Sequence, residues 1–291
     1  MSGERKLLVG LIGAGIGRSL TPAMQEAEAA AQGLRLHYQL IDLDRAAATT
    51  GRGVEALPGL IAAARTMGFA GLNITYPCKQ AVIPLLDALS DEARTMGAVN
   101  TVVFEGGKAT GHNTDGSGWR WGFERALPGA DLSRVVLLGA GGAGSAIAHS
   151  VCRMQADALV VIDSDNARAG ALVAELTRQY GAARVSAGTD AAAAMQGASG
   201  LIHATPTGMD KLPGLPLPAA LLRPALWVAE IVYFPLETAL LKAARSVGCR
   251  VVDGGTMAVG QALGAFELFT GCVADATRID AHFRRLIQER A

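Results

Sequence analysis

No excess of charge of either sign marks this chain of 291 residues, which holds 26 Lys and Arg against 26 Asp and Glu. The basic footprint that a phosphate backbone requires is missing, so nucleic acid is not an expected partner. Cysteine is scarce and scattered over Cys78, Cys152, Cys249 and Cys272, with no CxxC pair and no metal-ligand spacing among these and the five histidines. The thiols read as reduced cysteines of a cytoplasmic protein, and no metal site is expected. No apolar run reaches the roughly 18 to 20 residues that a membrane helix needs, so the expectation is a soluble protein with no membrane partner. The opening MSGERKLLVGLIGAGIG imitates a signal peptide, with Arg5 and Lys6 ahead of an apolar run. That run is broken by glycine, and Arg18 follows without a small-residue cleavage site. LLVGLIG fits better as a first β-strand.

What is present is a chain 50% hydrophobic and only 18% charged, with 36 glycines, a composition that suits a Gly-punctuated α/β enzyme and argues against disorder. Its length allows one large domain or two ordinary ones, and two is the expectation. Strand-like LLVGLIG, LHYQLIDL and GLNIT alternate with helical stretches near 22 to 32, 55 to 66 and 79 to 88, the βαβ rhythm of a parallel or mixed sheet. A hairpin over AVNTVVFEGGKATGHNTD follows, turning at Gly106 and Gly107. The rhythm then restarts with RVVLLGAGGAG and runs on through ALVVIDSD, GLIHATP, LWVAEIVY and CRVVDGG. The restart near residues 112 to 118 sets the domain boundary, giving residues 1–114 and 115–255. The last helical patterns, within 256–291, have no strand to follow and are expected to complete the first domain.

Both domains open with a strand and a Gly-rich loop. In the second, VVLL leads into Gly139-Ala140-Gly141-Gly142-Ala143-Gly144, a complete GxGxxG that runs straight into a helix. The first glycine allows the tight turn, the second lets backbone approach a pyrophosphate, the third lets helix pack on strand, and the helix N-terminus favours the phosphate charge. The next strand ends at Asp163, where a carboxylate can accept hydrogen bonds from ribose hydroxyls and would repel a 2′-phosphate. NAD is thus favoured over NADP, although Arg168 nearby offers a partner for that phosphate. The first loop, Gly13-Ala14-Gly15-Ile16-Gly17-Arg18, has arginine in place of the third glycine, and the chain continues Ser19-Leu20-Thr21-Pro22. This predicts a helix with Thr21 as N-cap and Pro22 at its first position. Two hydroxyls beside a helix N-terminus suit a small anion such as a carboxylate; capping alone would explain Thr21 equally well. Within GLNITYPCKQ, Lys79 reads by itself as a solvated surface charge.

The order of RSLTPAMQ, GLNITYPCKQ, GAVNT, GHNTDGSG, GAGGAG, ATPTGM, VYFPLET and TMAVGQA over nearly the whole length resembles the shikimate/quinate dehydrogenase family. The resemblance implies an α/β substrate domain closed by the C-terminal helices, together with a Rossmann domain of doubly wound parallel sheet that binds NAD(P). It also implies hydride transfer between the cofactor and the ring C3 hydroxyl of shikimate or quinate. Lys79 and Asp115 match the catalytic lysine and its aspartate partner. Ser19 and Thr21 match the residues that hold the substrate carboxylate, Tyr233 a tyrosine near it, and Thr75, Asn100, Asp115 and Gln261 the contacts to ring hydroxyls. Asn100 alone would read as a turn residue and Gln261 as helix surface. Cofactor contacts carry over to Gly139, Ala140, Gly141, Gly142, Ala143, Asp163, Arg168, Thr205, Val232 and Gly254. Burial and a neighbouring carboxylate act on a lysine ammonium in opposite senses, so the protonation state of Lys79 stays open.

Several positions depart from the commonest pattern. Thr21 stands where serine is frequent, and the SxTP form resembles members that accept both quinate and shikimate. Met24-Gln25 replace His-Asn, His203 replaces Asn, and Glu230 replaces Asp. Asp163-Ser164-Asp165 stands in place of the Asn-Arg-Thr of NADP-dependent members. The expectation is an NAD-preferring enzyme, monomeric or homodimeric, with a small-molecule substrate. The alternatives are an NADP-dependent, shikimate-only enzyme, a paralogue acting on an amino-substituted ring, a dehydrogenase of related architecture acting on a folate or an amino acid, or a non-catalytic NAD-binding sensor.

Overall fold

The computed structural model describes residues 6–51 and 53–290; Arg5 lies outside them. The chain divides into two compact units, one running to Thr114 and taking in Gln261–Leu286, the other comprising Asp115–Gly260 and the last few residues from Ile287.

The first unit contains β1 (Lys6–Gly13), α1 (Thr21–Ala31), β2 (Arg35–Asp42), α2 (Leu43–Thr50), α3 (Leu57–Thr66), β3 (Gly71–Ile74), α4 (Cys78–Ala81), β4 (Ala88–Leu89), α5 (Asp91–Met96), β5 (Thr101–Glu105) and β6 (Lys108–His112). Its six-stranded sheet has the order β2-β1-β3-β5-β6-β4. β1 pairs in parallel with β2 and β3, while β5 runs antiparallel to both β3 and β6. The turn between β5 and β6 is made by Gly106 and Gly107, both at positive φ (56° and 78°), the conformation that a two-residue hairpin demands. Ile12, Leu72, Ile74 and Val102 pack against Leu57, Ile61 and Ala64 of α3 on one face. Val9, Leu11 and Tyr38 pack against Ala265 and Phe269 on the other. A side chain at Gly71 would lie 2.3 Å from the Phe269 ring, so glycine is what admits that ring.

The second unit contains α6 (Asp115–Ala126), β7 (Val135–Leu138), α7 (Gly142–Arg153), β8 (Leu159–Ile162), α8 (Asn166–Tyr180), β9 (Val185–Ala187), α9 (Ala191–Met195), β10 (Gly200–His203), β11 (Trp227–Glu230), α10 (Ala239–Val247) and β12 (Arg250–Val252). All neighbours in its sheet, ordered β12-β11-β10-β7-β8-β9, are parallel. Because side chains alternate along a strand, Val135, Leu137, Leu159 and Val161 face Trp119, Phe123, Ile147 and Leu176 of α6, α7 and α8. Val136, Leu138 and Val160 face Met195, Leu240 and Leu241 of α9 and α10. Buried on both faces, these strands are continuous apolar runs. The chain winds outward from β7 in both directions, so β7 and β10 flank the point where strand order reverses. After β12 come α11 (Gly255–Thr270), which contributes residues to both units, and α12 (Ala276–Gln288). No helix among the described residues is long and apolar enough to cross a membrane.

The structure corrects two local expectations. The helix expected near 79 to 88 is only the four-residue α4, followed by a 3₁₀ turn over Ile83–Leu85 and the short β4, because Pro84 cannot supply the backbone N–H that a longer helix needs. Thr21 is not an N-cap: Leu20 holds that place without a side-chain bond, and Pro22 lies within the first turn.

His149 of α7 is fully buried, its Nδ1 3.3 Å from the Tyr180 hydroxyl and its Nε2 3.5 Å from Glu175. Burial first, and then the Arg153 charge, push its imidazole down to about 4. The unfolded chain takes up a proton near pH 6.5 while the folded one stays neutral, so this residue lowers stability as pH falls from about 6.5 towards 4, by about 2 kcal/mol at pH 5. Urea midpoints at pH 7 and pH 5 should therefore differ less in His149→Phe than in the wild type.

Candidate active site

Within the first unit, most of the expected substrate residues gather at one end of the sheet. β1 ends at Gly13 and β3 at Ile74, and the Thr75 N–H donates to the Ile12 carbonyl at 2.9 Å. A Cβ on Gly13 would stand 2.2 Å from the Thr75 methyl, so glycine there is what seats Thr75. β5 runs the other way, so its first residue, Thr101, pairs with Asn73 and brings Asn100 to the same end. The carboxyl ends of parallel strands are where α/β sheets bind ligands.

The Asn100 amide is oriented on several sides. Its oxygen accepts from the Thr114 N–H at 2.8 Å and the Thr101 hydroxyl at 3.0 Å, and its nitrogen donates to the Thr114 hydroxyl at 2.9 Å. Thr114 Oγ1 lies 3.2 Å from the Gln261 carbonyl, which ties Gln261 of α11 to the group. Behind it, Asn73 Nδ2 donates to Thr101 Oγ1 at 3.0 Å, and Tyr38 donates to Asn73 Oδ1 at 2.7 Å. Burial holds the Tyr38 phenol well above the ordinary tyrosine range, so it stays a donor. Sequence reasoning singled out Asn100 but missed Thr114, Asn73 and Tyr38. The available signal was Asn73, a polar residue between Leu72 and Ile74 in a strand core.

Ser19 and Thr21 are also brought together. Ser19 Oγ accepts from the Thr21 N–H at 3.3 Å and lies 3.2 Å from the Thr21 hydroxyl. Ser19 therefore covers the N–H at the start of α1, and the Thr21 hydroxyl is not consumed in capping. Lys79 is partly exposed on α4, between buried Cys78 and exposed Gln80. Its backbone is held by the Cys78 N–H donating to the Thr75 carbonyl and the Val99 N–H donating to its own carbonyl. Asp115 and Tyr233 belong to the second unit: Asp115 is buried as the first residue of α6, and Tyr233 is exposed after β11.

The second unit presents the glycine loop at the carboxyl end of β7. Gly139 has φ +104°, and a Cβ there would meet the Ala204 carbonyl oxygen at 2.5 Å. A Cβ on Gly144 would lie 2.0 Å from the Gly139 oxygen, which is why α7 packs so close. Gly141 and Gly142 have nothing within 4 Å of a built Cβ, and no side chain caps α7. Open space, bare backbone and an uncapped helix N-terminus fit the diphosphate of a dinucleotide. Asp163, one residue beyond β8, accepts from the Ala140 N–H at 2.7 Å and the Asp165 N–H at 2.9 Å. Burial alone would raise its carboxyl. The two N–H groups, the Arg168 guanidinium and the Ser164 hydroxyl outweigh that and hold it below the ordinary aspartate value. Arg168 lies 3.5 Å from both Asp163 and Asp165, so its charge faces two carboxylates. Thr205 follows β10, Val232 follows β11, and Gly254 follows β12, where a Cβ would meet the Ile231 oxygen at 2.3 Å.

Residues 11–102 match the family described as shikimate dehydrogenase substrate binding domain. The chain is 55% identical over 281 residues to shikimate dehydrogenase (NADP(+)) of Streptomyces avermitilis, covering 96% of this chain and 95% of that protein. It is 48% identical over 286 residues to quinate/shikimate dehydrogenase (NAD(+)) of Corynebacterium efficiens, covering 96% and 98%. Quinate dehydrogenase from Corynebacterium glutamicum, solved in complex with NAD, superposes with a TM-score of 0.91 at 44% identity, over 97% of this chain and 100% of that one. With glycine loop, strand order and similarity over nearly the full length in agreement, the chain belongs to the shikimate/quinate dehydrogenase family of NAD(P)-dependent oxidoreductases.

Proposed function

We propose that this enzyme is an NAD-preferring dehydrogenase acting on the ring C3 hydroxyl of shikimate, quinate or both, in the cytoplasm, as a monomer or homodimer. When bound, the dinucleotide supplies or accepts the hydride. Lys79 takes the proton of the reacting hydroxyl in oxidation when neutral, and stabilises or protonates the alkoxide in reduction when charged; Asp115 is its partner. Ser19 and Thr21 hold the substrate carboxylate with Tyr233 near it, and Thr75, Asn100 and Gln261 hold ring hydroxyls. Each polyol group left unpaired on burial would cost about 1 to 3 kcal/mol, which is why the ring requires this many partners.

Gly139 to Ala143, Thr205, Val232 and Gly254 form the cofactor contacts, with Asp163 accepting from the adenosine ribose. The observation that supports NAD is the arrangement of Asp163, Asp165 and Arg168: two carboxylates against one guanidinium that faces both. The cluster is net negative where a 2′-phosphate would lie. Relatives of either cofactor name are similar to this chain, so the residues, not the names, support the choice. Initial rates with NAD and NADP against shikimate and quinate test the proposal. NAD should give the higher kcat/KM, by about tenfold or more, and Asp163→Asn should narrow the gap. A preference for NADP in the wild type would overturn the assignment of Asp163.

A further inference from the structure

His203 and Glu230 are register partners at the ends of adjacent strands β10 and β11, and both side chains are fully buried. The Glu230 carboxylate is surrounded by donors. One oxygen accepts from the backbone N–H groups of Ile231 and Val232 at 2.8 and 3.0 Å and lies 2.8 Å from His203 Nδ1. The other accepts from the Thr238 hydroxyl at 2.9 Å. The opposite ring nitrogen, His203 Nε2, lies 2.5 Å from Thr205 Oγ1, which also receives the Thr207 N–H at 3.4 Å. One buried pair thus fixes the turn after β11 and the hydroxyl on the loop after β10.

The position of that hydroxyl follows from strand order. A dinucleotide with its diphosphate on the loop after β7 and its adenosine ribose at Asp163 after β8 lies with its other half towards β10 and β11, across the reversal of strand order. We propose that His203, oriented by Glu230, is a positioning residue that commits the Thr205 hydroxyl hydrogen to itself and so makes Thr205 a hydrogen-bond acceptor for the nicotinamide-riboside half of the cofactor. The Nδ1–H tautomer does this. Nδ1–H donates to Glu230, which is acceptor only and already satisfied by three other donors, and Nε2 is left as the acceptor for Thr205 O–H. With its hydrogen engaged and one lone pair turned to the Thr207 N–H, Thr205 offers its remaining lone pair to a donor on the ligand. On that half of the cofactor the donors are the ribose hydroxyls and the carboxamide N–H.

The inference rests on the dinucleotide reading, and three fluorescence-titration or calorimetric affinities separate the two. ADP lacks the whole half in question, ADP-ribose keeps the second ribose, and NADH has both ribose and carboxamide. Thr205→Val should weaken NADH by roughly three- to tenfold, the value of one hydrogen bond, and leave ADP unchanged, while Thr205→Ser keeps wild-type affinity. A loss shared by ADP-ribose assigns the ribose hydroxyl as donor; a loss confined to NADH assigns the carboxamide. His203→Phe should lose NADH affinity in the same range, and the double variant should be no weaker than Thr205→Val, because both act through one hydroxyl. Should His203→Phe not fold, the ¹⁵N spectrum of the wild-type enzyme decides the same point, with His203 carrying its proton on Nδ1. Equal NADH affinity in Thr205→Val and wild type, additive losses, equal weakening of ADP, or a proton on Nε2 would overturn the inference. Absence of ADP binding in the wild type would instead overturn the dinucleotide reading.

Discussion

Replacing Lys79 with methionine should lower kcat by about 10²- to 10⁴-fold, the usual contribution of a positioned proton-transfer group, while NADH affinity stays within about twofold of wild type. Methionine keeps an unbranched apolar stem and removes only the ammonium. The backbone at this site is fixed independently of the side chain. The Thr75 and Lys79 carbonyls receive N–H groups on either side of α4, and Cys78 is buried in the core of the first unit. The fold should therefore tolerate the change within about 0.5 kcal/mol, as for other partly exposed positions. Steady-state rates in both directions, with NADH titration and a thermal melt on the same sample, separate the possible roles. A kcat equal to wild type would remove Lys79 from the chemistry, and a parallel loss of NADH affinity would move it to cofactor binding. Asp115→Asn should slow turnover as well. If the two residues act as one unit, Lys79→Met combined with Asp115→Asn should be no slower than the slower single variant.

The parts of this protein that were legible in the sequence are those governed by local chemistry. VVLL and LVVI are short apolar runs ended by Gly139 and Asp163, GLIH opens on Gly200, and the three are the buried strands β7, β8 and β10. Gly106 and Gly107, at positive φ, and Gly139 and Gly144 of the GAGGAG loop, where a Cβ would meet backbone at 2.5 and 2.0 Å, were legible because the backbone there favours or requires glycine. The Thr21 cap was misread because the helix starts one residue earlier, with Leu20 as N-cap, and the Thr21 N–H is already covered by Ser19. The short α4 differs from the helix expected near 79 to 88 because Pro84 breaks the backbone hydrogen bonding that the apolar spacing alone does not report. The support behind Asn100, from Tyr38 through Asn73 and Thr101 to Thr114, is built from residues far apart in sequence. Each has an ordinary reading alone, so only the register of the sheet reveals the set. The same is true of His203 and Glu230, which were visible singly as departures from the family pattern but not as partners.

Arg278→Met should lower the Tm of the first unit by several degrees, because it strips the charged partner from a buried carboxylate. Glu28 of α1 is inaccessible to solvent, and its carboxylate accepts from Arg278 Nε at 2.6 Å, Arg278 Nη2 at 2.7 Å, Gln32 Nε2 at 2.6 Å and the Asp275 N–H at 2.9 Å. Removing the guanidinium leaves a buried charge with only neutral donors, the situation in which breaking a pair costs more than the pair itself contributes. Water screens part of this effect, because Arg278 is 40% exposed. Burial would raise the Glu28 carboxyl, but Arg278, the Asp275 N–H and Gln32 together hold it below its ordinary 4.5. A lowered carboxylate contributes stability that is fully present above pH 4.5 and lost as pH falls through its folded value. The Tm difference between wild type and Arg278→Met should accordingly be largest near neutral pH and shrink in acid. Adding Glu28→Gln to Arg278→Met should recover part of the loss, since the unpaired charge is then gone. This contact ties α12 to α1, the helix that opens with Thr21, and through it sequence from the far end of the chain braces the proposed carboxylate site. A Tm difference that is small at neutral pH, or unchanged in acid, would mean that water satisfies Glu28 and that α12 is held by its apolar face alone.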